Sequence, residues 1–189
     1  MNAPMQLQSF IGGRFVGARA GAALASALDG HTVAFAHADE LDFGEAVDHA
    51  RRVGVPALLA LDFQQRAARL KALAKFLMER KEDLYAISAH TGATRVDGWI
   101  DIEGGAGTLV AYASMGSNEL PSGNLIPEGP AMSLGKKGQF AGTHVLVPRR
   151  GLAVHINAFN FPVWGALEKF APSFLAGMPC IVKPATATS

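Results

Sequence analysis

Apolar residues recur at three- and four-residue steps along the middle of the chain. Leu70, Leu73, Ala74, Leu77, Leu84 and Ile87 form such a stripe, which predicts one long helix from Phe63 to about Ala89. Lys75 and Glu79 sit four apart on its wet side, and Thr91-Gly92 supplies a stop. A second stripe, Trp99, Ile102, Ala106, Leu109 and Ala113, predicts a helix from Gly98 to Ser114 with Asp97 as its N-cap. Asp42-Phe-Gly-Glu45 has the spacing of a capping box, so a shorter helix should run to about Val53, where Gly54 and Pro56 end it.

Elsewhere the period falls to two. Ser9-Phe-Ile and Arg14-Phe-Val flank Gly12-Gly13 as a hairpin, and Asp29-Gly30 before His31–Phe35 signals another. From Gly116 to Gly142 glycine and proline punctuate the chain, and His144-Val-Leu-Val-Pro148 is strand-like. Residues 121–150 therefore read as a β-rich arm. In the final segment an apolar run, Gly151–Ile156, enters a loop holding Asn160. Pro162 starts a helix, and a second apolar run, Cys180-Ile-Val, ends on Lys183. This strand–loop–helix–strand order is the opening unit of a nucleotide-binding α/β sheet.

Composition adds little to that picture. The 189 residues are 49% hydrophobic and 17% charged, with net charge +1, so neither nucleic acid nor an anionic membrane is an expected partner. The longest apolar stretch, Val53–Leu61, is interrupted by Gly54 and Pro56 and is too short to span a bilayer. The start, Met1-Asn-Ala-Pro-Met-Gln-Leu-Gln, lacks the charged and apolar regions of a secretory leader. With one cysteine and hence no internal disulfide, a cytoplasmic location is the expectation.

Candidate chemistry gathers in the last segment. The Asn160 amide would either donate to a developing oxyanion or cap the helix that Pro162 starts. Lys183, at the carboxyl end of a strand, would either hold ribose or phosphate oxygens or stand as a solvated surface lysine. Cys180 reads as a packed, unreactive thiol within a buried strand. Glu103-Gly-Gly105-Ala-Gly107-Thr has Val110 where the third glycine of a dinucleotide loop belongs, so close helix packing is the better account. The scattered histidines do not form a metal-ligand spacing, and no Gly-x-Ser-x-Gly elbow occurs.

Taken together, Ala158-Phe-Asn160-Phe-Pro162, Lys169, Ala171-Pro172, Ala176-Gly177-Met178 and Lys183-Pro-Ala-Thr186 resemble the aldehyde dehydrogenase superfamily. Its corresponding motifs are Pro-Trp-Asn-Phe-Pro, Lys, Ala-Pro, Ala-Gly-Asn and Lys-Pro-Ser-Glu. The Arg66–Tyr85 segment is similar to the family's Arg-Ala-x-x-Leu helix. Thr91-Gly-Ala-Thr-Arg95, Trp99–Gly105 and His155–Trp164 are similar to the branch that oxidises ring-cleavage semialdehydes carried as coenzyme A thioesters.

The resemblance covers essentially the whole chain but only about the N-terminal third of a full-length member. It implies a doubly wound, Rossmann-type cofactor domain with a bridging arm. Residues 1–120 would be the helical part of that domain, 121–150 the oligomerisation arm, and 151–189 the first strand–helix–strand unit. It also implies a mechanism. A cysteine thiolate attacks the aldehyde, Asn160 holds the oxyanion of the thiohemiacetal, and a nicotinamide cofactor accepts hydride. The matching cysteine and glutamate are not among these residues, so the 189 residues alone are expected to be inactive.

Ile156, Asn157, Ala158, Phe159, Lys183, Pro184, Ala185 and Thr186 would contact the cofactor. Members preferring NAD carry a glutamate where Thr186 stands, so Thr186 with Lys183 points to NADP, through lost repulsion of a 2′-phosphate. The implied partners are a small aldehyde, as a coenzyme A thioester, and further copies of the chain in a homodimer or larger homo-oligomer. The alternatives are the dehydrogenase half of a bifunctional dehydrogenase–hydratase and a non-catalytic binding module.

Overall fold

The computed structural model describes residues 3–17, 21–37 and 41–189; Met1 and Asn2, read above for a leader, lie outside them. Among the described residues no helix is long and apolar enough to cross a membrane, and none of the His, Cys, Asp and Glu side chains group as a metal site.

The N-terminal part is a small mixed sheet. β1 (Met5–Gln6) pairs parallel with β5 (Thr32–Ala36), which pairs antiparallel with β4 (Ala22–Ala25). The expected hairpin forms from β2 (Ser9–Ile11) and β3 (Arg14–Val16). Gly12 and Gly13 both take positive φ, 61° and 81°, which is why two glycines are needed there.

Asp42 caps α1 (Phe43–His49) by accepting from the Glu45 N–H. The reciprocal half of the box is absent, because the Glu45 carboxylate is held by Arg14 of the hairpin. Gly54 and Pro56 do not stop this helix as the sequence reading expected. The chain widens into a π turn, Ala50–Gly54, and continues as α2 (Val55–Leu59) with Pro56 in the first turn, where a missing N–H is tolerated.

The long stripe is two helices rather than one. α3 (Phe63–Met78) opens on a complete capping box, Asp62 with Gln65. It ends at Glu79, and Arg80 leaves helical geometry at φ −116°, ψ 14°. The Arg80 guanidinium folds back over the Phe76 ring at 3.7 Å. α4 (Lys81–Ala89) then restarts with Glu82 and Asp83 in its first turn, which suits the helix dipole. The break re-aims the face, so Tyr85 is buried and Ile87 is exposed, contrary to the continuous stripe.

α5 (Arg95–Asn118) begins earlier than expected and runs beyond Ser114. Thr94 is its N-cap, and Asp97 is the reciprocal partner in the box. Trp99, expected on the inward stripe, is 56% exposed, while Ile102, Ala106, Leu109 and Ala113 face inward as expected.

These helices pack with α6 (Pro162–Leu175). Phe63, Ala67, Leu70 and Ala74 of α3, Leu109 and Ala113 of α5, and Ala171 and Leu175 of α6 make one buried cluster. The three helices cross so closely that a Cβ at Gly116 would lie 2.6 Å from Leu175 and 2.8 Å from Ala67. Arg66 is fully buried at the same junction. Its Nε donates to the Leu175 carbonyl at 2.8 Å, and its Nη1 donates to those of Leu58 (2.9 Å) and Leu61 (2.5 Å). One guanidinium thus satisfies carbonyls at the ends of α2 and α6, groups that would otherwise be costly to bury. Desolvation depresses its pKa.

Residues 121–150 form the expected β-rich excursion. β6 (Ile126–Pro127) pairs antiparallel with β9 (Val145–Leu146), enclosing β7 (Met132–Leu134) paired with β8 (Phe140–Gly142). Most of their side chains are exposed. The chain then enters β10 (Ala153–Ile156), passes through α6 and returns as β11 (Cys180–Lys183), parallel to β10 with Ile156 opposite Lys183. The fold is thus the expected α/β one, with a β–α–β unit covered by helices.

Candidate functional site

The β10–β11 register determines what meets at the site. Ile156 lies opposite Lys183, and the Asn157 N–H continues the ladder by donating to the Lys183 carbonyl at 3.0 Å. The segments that leave the two strands, 157–161 and 184–189, therefore depart side by side from the carboxyl edge of the parallel pair. That edge is where α/β sheets bind ligands.

Alternation along β10 divides its side chains. His155 and Asn157 are buried at 7% and 6%, while Val154 and Ile156 face outward. His155 meets Ser173 Oγ at 3.2 Å through Nε2, and burial with nearby Lys169 depresses its pKa, which favours the neutral ring. Both amide atoms of Asn157 are buried without a hydrogen-bond partner among the described residues, as is His155 Nδ1. Orphaned polar atoms of this kind are rare in proteins and fit a site that accepts a polar ligand.

Beyond Asn157 the loop turns outward. Ala158, Phe159 and Asn160 are exposed, and Asn160 makes no side-chain hydrogen bond among the described residues. The helix-cap alternative for Asn160 is not realised. Phe161 occupies the N-cap position of α6 in the left-handed region, φ 53°, ψ 56°, with no side-chain cap of its own. It is the one non-glycine residue with positive φ among the described residues. Pro162 keeps the preceding residue out of right-handed helical geometry, but the usual outcome is extended backbone, so the left-handed value must be held by surrounding contacts.

The free N–H groups of α6 are satisfied from another helix. Asp101 of α5, 3% exposed, accepts from Trp164 N at 2.7 Å through Oδ1 and from Val163 N at 3.3 Å through Oδ2. Burial raises its pKa, and the two N–H bonds oppose that rise. One turn along α5, a Cβ at Gly105 would lie 3.0 Å from Trp164 Cα, so the helices touch here because Gly105 has no side chain. Of the glycines in the 103–108 segment, Gly105 alone plays the packing role expected for all of them: Gly104 and Gly107 face open space. The sequence reading did not single out Asp101. Its signal was available, as a carboxylate beside Ile102 on the inward face of a helix.

A cavity of about 220 Å³ opens beside the loop, lined by Ala158, Asn160, Phe161, Trp164, Gly165, Glu168 and Lys169. Lys169 is held in its wall, donating to the Gly165 carbonyl at 2.6 Å and to Glu168 at 3.0 Å.

On the second strand, Lys183, Pro184 and Thr186 are exposed and Ala185 is half-buried, with Thr186 opening a short 3-10 turn to Thr188. Lys183 Nζ has no ion-pair partner among the described residues, and no Asp or Glu occurs from Cys180 to Ser189. A free cation, a hydroxyl and no carboxylate fit an anionic phosphate group. Cys180 is half-buried rather than packed within a buried strand, because β11 holds only half-buried and exposed residues. Burial raises its thiol pKa, and Sγ donates weakly to the Met178 carbonyl at 3.5 Å, so it lacks the electropositive setting of a nucleophile.

Known proteins resemble this chain in sequence and in fold. Residues 21–189 match the model of the aldehyde dehydrogenase family. The chain is 40% identical, over 98% of its own length, to a 3,4-dehydroadipyl-CoA semialdehyde dehydrogenase of Aromatoleum evansii. It spans only 36% of that relative. The fold superposes on a lactaldehyde dehydrogenase of Escherichia coli with a TM-score of 0.81 at 22% identity, covering 98% of this chain and 38% of that one. An NADP-dependent enzyme of Escherichia coli superposes with a TM-score of 0.76 at 21% identity, covering 97% and 37%.

Proposed function

The chain belongs to the aldehyde dehydrogenase family, and we propose that it forms the oxyanion and cofactor half-site of an enzyme oxidising an aldehyde to its acid. The substrate is a semialdehyde carried on coenzyme A, such as 3,4-dehydroadipyl-CoA semialdehyde; the identity to the Aromatoleum relative supports this reading. The observation that carries the site assignment is the uncommitted Asn160 amide, exposed beside a cavity at the carboxyl edge of β10 and β11.

In this reading Asn160 is the catalytic donor to the oxyanion that forms when a thiolate adds to the aldehyde carbon. A fixed N–H donor aimed at that oxygen stabilises the tetrahedral state more than the planar carbonyl. Cys180, half-buried on β11 and turned to the Met178 carbonyl, is not the thiolate of this reading. The nucleophilic cysteine and the glutamate that activates water belong to residues beyond these 189.

Ile156, Asn157, Ala158 and Phe159 on one strand exit, and Lys183, Pro184, Ala185 and Thr186 on the other, hold the cofactor. When bound, NADP supplies the hydride acceptor. Lys183 and Thr186 favour its 2′-phosphate by charge and hydrogen bonding, with no carboxylate in the segment to repel it. Residues 1–120 and 151–189 form the cofactor domain, and the exposed arm of residues 121–150 joins copies of the chain in a cytoplasmic homo-oligomer. The 189 residues alone are inactive, because half of the reacting groups lie elsewhere.

The test is to purify the complete gene product and measure kcat/KM for a coenzyme A semialdehyde with NADP and with NAD. Activity preferring NADP is the expected result, and Thr186→Glu should move the preference toward NAD. Wild-type preference for NAD would overturn the cofactor reading. An added hydratase activity would identify a bifunctional enzyme, and cofactor binding without turnover would identify a non-catalytic module.

A further inference from the structure

We infer that Asp101 is a positioning residue for aldehyde oxidation: by capping α6 from α5 it fixes the loop that presents Asn160 and leaves the Asn160 amide free. The inference rests on the oxyanion role proposed for Asn160.

Residues 160–162 cannot set this loop alone. Asn160 is followed by a phenylalanine in the left-handed region and then by a proline. A left-handed non-glycine residue is strained, and such strain persists only where surrounding contacts over-determine it. The contacts present are the two N–H bonds to Asp101, the close seat of Trp164 on Gly105, the Gly165 N–H on the Phe161 carbonyl at 2.8 Å, and the edge-on contact of the Phe161 and Trp164 rings; of these, only the Asp101 bonds bring in a polar group from another element. An asparagine three or four residues before free helical N–H groups would ordinarily turn back to cap them. Here the Asp101 carboxylate has taken those N–H groups, so the competing use of Asn160 is removed. A carboxylate fits this place because it accepts from both N–H groups at once and its charge suits a helix N-terminus.

The experiment compares Asp101→Asn, Asn160→Ala and their combination in the complete gene product, with Thr94→Ala as a control that weakens the start of α5 itself. Asp101→Asn keeps the side-chain volume but offers one acceptor oxygen and places an NH2 group against the second N–H. Its kcat should fall roughly 10- to 100-fold, as for a small misplacement of a reacting group, with KM for aldehyde and for NADP within about twofold. Asn160→Ala/Asp101→Asn should be no slower than Asn160→Ala, because one effect acts through the other. Thr94→Ala should lose stability with kcat unchanged.

Losses that multiply in the double variant, or an equal loss of kcat in Thr94→Ala, would overturn the inference in favour of general destabilisation. A normal kcat in Asp101→Asn beside an impaired Asn160→Ala would overturn it while leaving the Asn160 reading intact. A normal kcat in Asn160→Ala would sink that reading itself. Should Asp101→Asn fail to fold, the wild type still decides. The Trp164 amide proton should shift downfield as the Asp101 carboxyl ionises, and a flat titration would show that the cap is not made.

Discussion

The N-terminus of α3 and that of α6 solve the same problem in opposite ways. At α3 the chain caps itself: Asp62 accepts from Gln65 N at 2.7 Å, and the Gln65 side chain accepts from Asp62 N at 2.9 Å. At α6 the capping position holds Phe161, and the acceptor comes from Asp101 on another helix. A self-capped helix spends its polar residues on its own end. A helix capped from elsewhere leaves the polar residue beside its start available for chemistry, and its position then depends on the packing of the helix that supplies the cap.

The sharpest way to break this comparison is Asn160→Ala. With α6 capped remotely, the substitution should lower kcat by about 10²–10³, the usual loss for one oxyanion donor. The urea midpoint should not move. A lowered midpoint with normal kcat would make Asn160 a cap after all.

Next in size are the stability losses. Asp101→Ala removes a buried acceptor and leaves two partly buried N–H groups without their partner, and should cost about 2 kcal/mol. Asp62→Ala loses an exposed cap that water can partly replace and should cost about 1 kcal/mol. Urea unfolding of both variants measures the gap, and equal losses would mean that the remote cap is no more than a local one.

The smallest effect is a difference in sign with pH, between Asp101 and Asp97 of the self-capped α5. Hydrogen bonds from Thr94, first through its hydroxyl and then its N–H, lower the Asp97 pKa. Asp97 therefore adds stability above the ordinary aspartate range, and that stability is lost as the pH falls through its depressed value. Burial raises the Asp101 pKa in the folded chain. The native state then holds the proton more readily than the unfolded one, so stability declines as the pH rises from the ordinary aspartate range through the raised value. Asp97→Asn should remove a gain with rising pH and Asp101→Asn a loss, read as opposite changes in the slope of urea midpoint against pH.

What the sequence disclosed follows the same division. The Gly12-Gly13 hairpin, the Cys180–Lys183 strand and the core stripe through Leu70 and Leu109 were legible because each depends on a short run of residues. The break at Arg80 was not. Leu77 and Leu84 keep helical spacing across it, and the stacking of Arg80 on Phe76 leaves no mark in the hydrophobic pattern. Thr94 was passed over for Asp97 because the two are reciprocal halves of one box, and either can serve as an N-cap. At the site, Asn160 and Lys183 stood out by motif, whereas Asp101 needed the α5–α6 contact before its carboxylate had a purpose. Asn157 was named only through the family resemblance, as a cofactor contact; that both its amide atoms are buried without partners among the described residues needed the structure.

The π turn at Ala50–Gly54 carries a consequence for how this chain tolerates changes of length. The Val55 N–H reaches back to the Ala50 carbonyl, so the turn holds one residue more than a regular helix. Gly54, the last residue of the turn, lies against Pro179, where a Cβ would be 2.8 Å from the proline ring, and the Pro179 carbonyl receives the Ala153 N–H at 2.9 Å. Because the wide turn already absorbs one residue, deleting one of residues 50–53 would close it to a regular α turn and leave the helices on either side in nearly the same phase. The same deletion within the regular turns of α3 would shift everything after it by roughly 100°. The wide turn is thus one residue of slack in the chain, placed just ahead of the contact that must stay small.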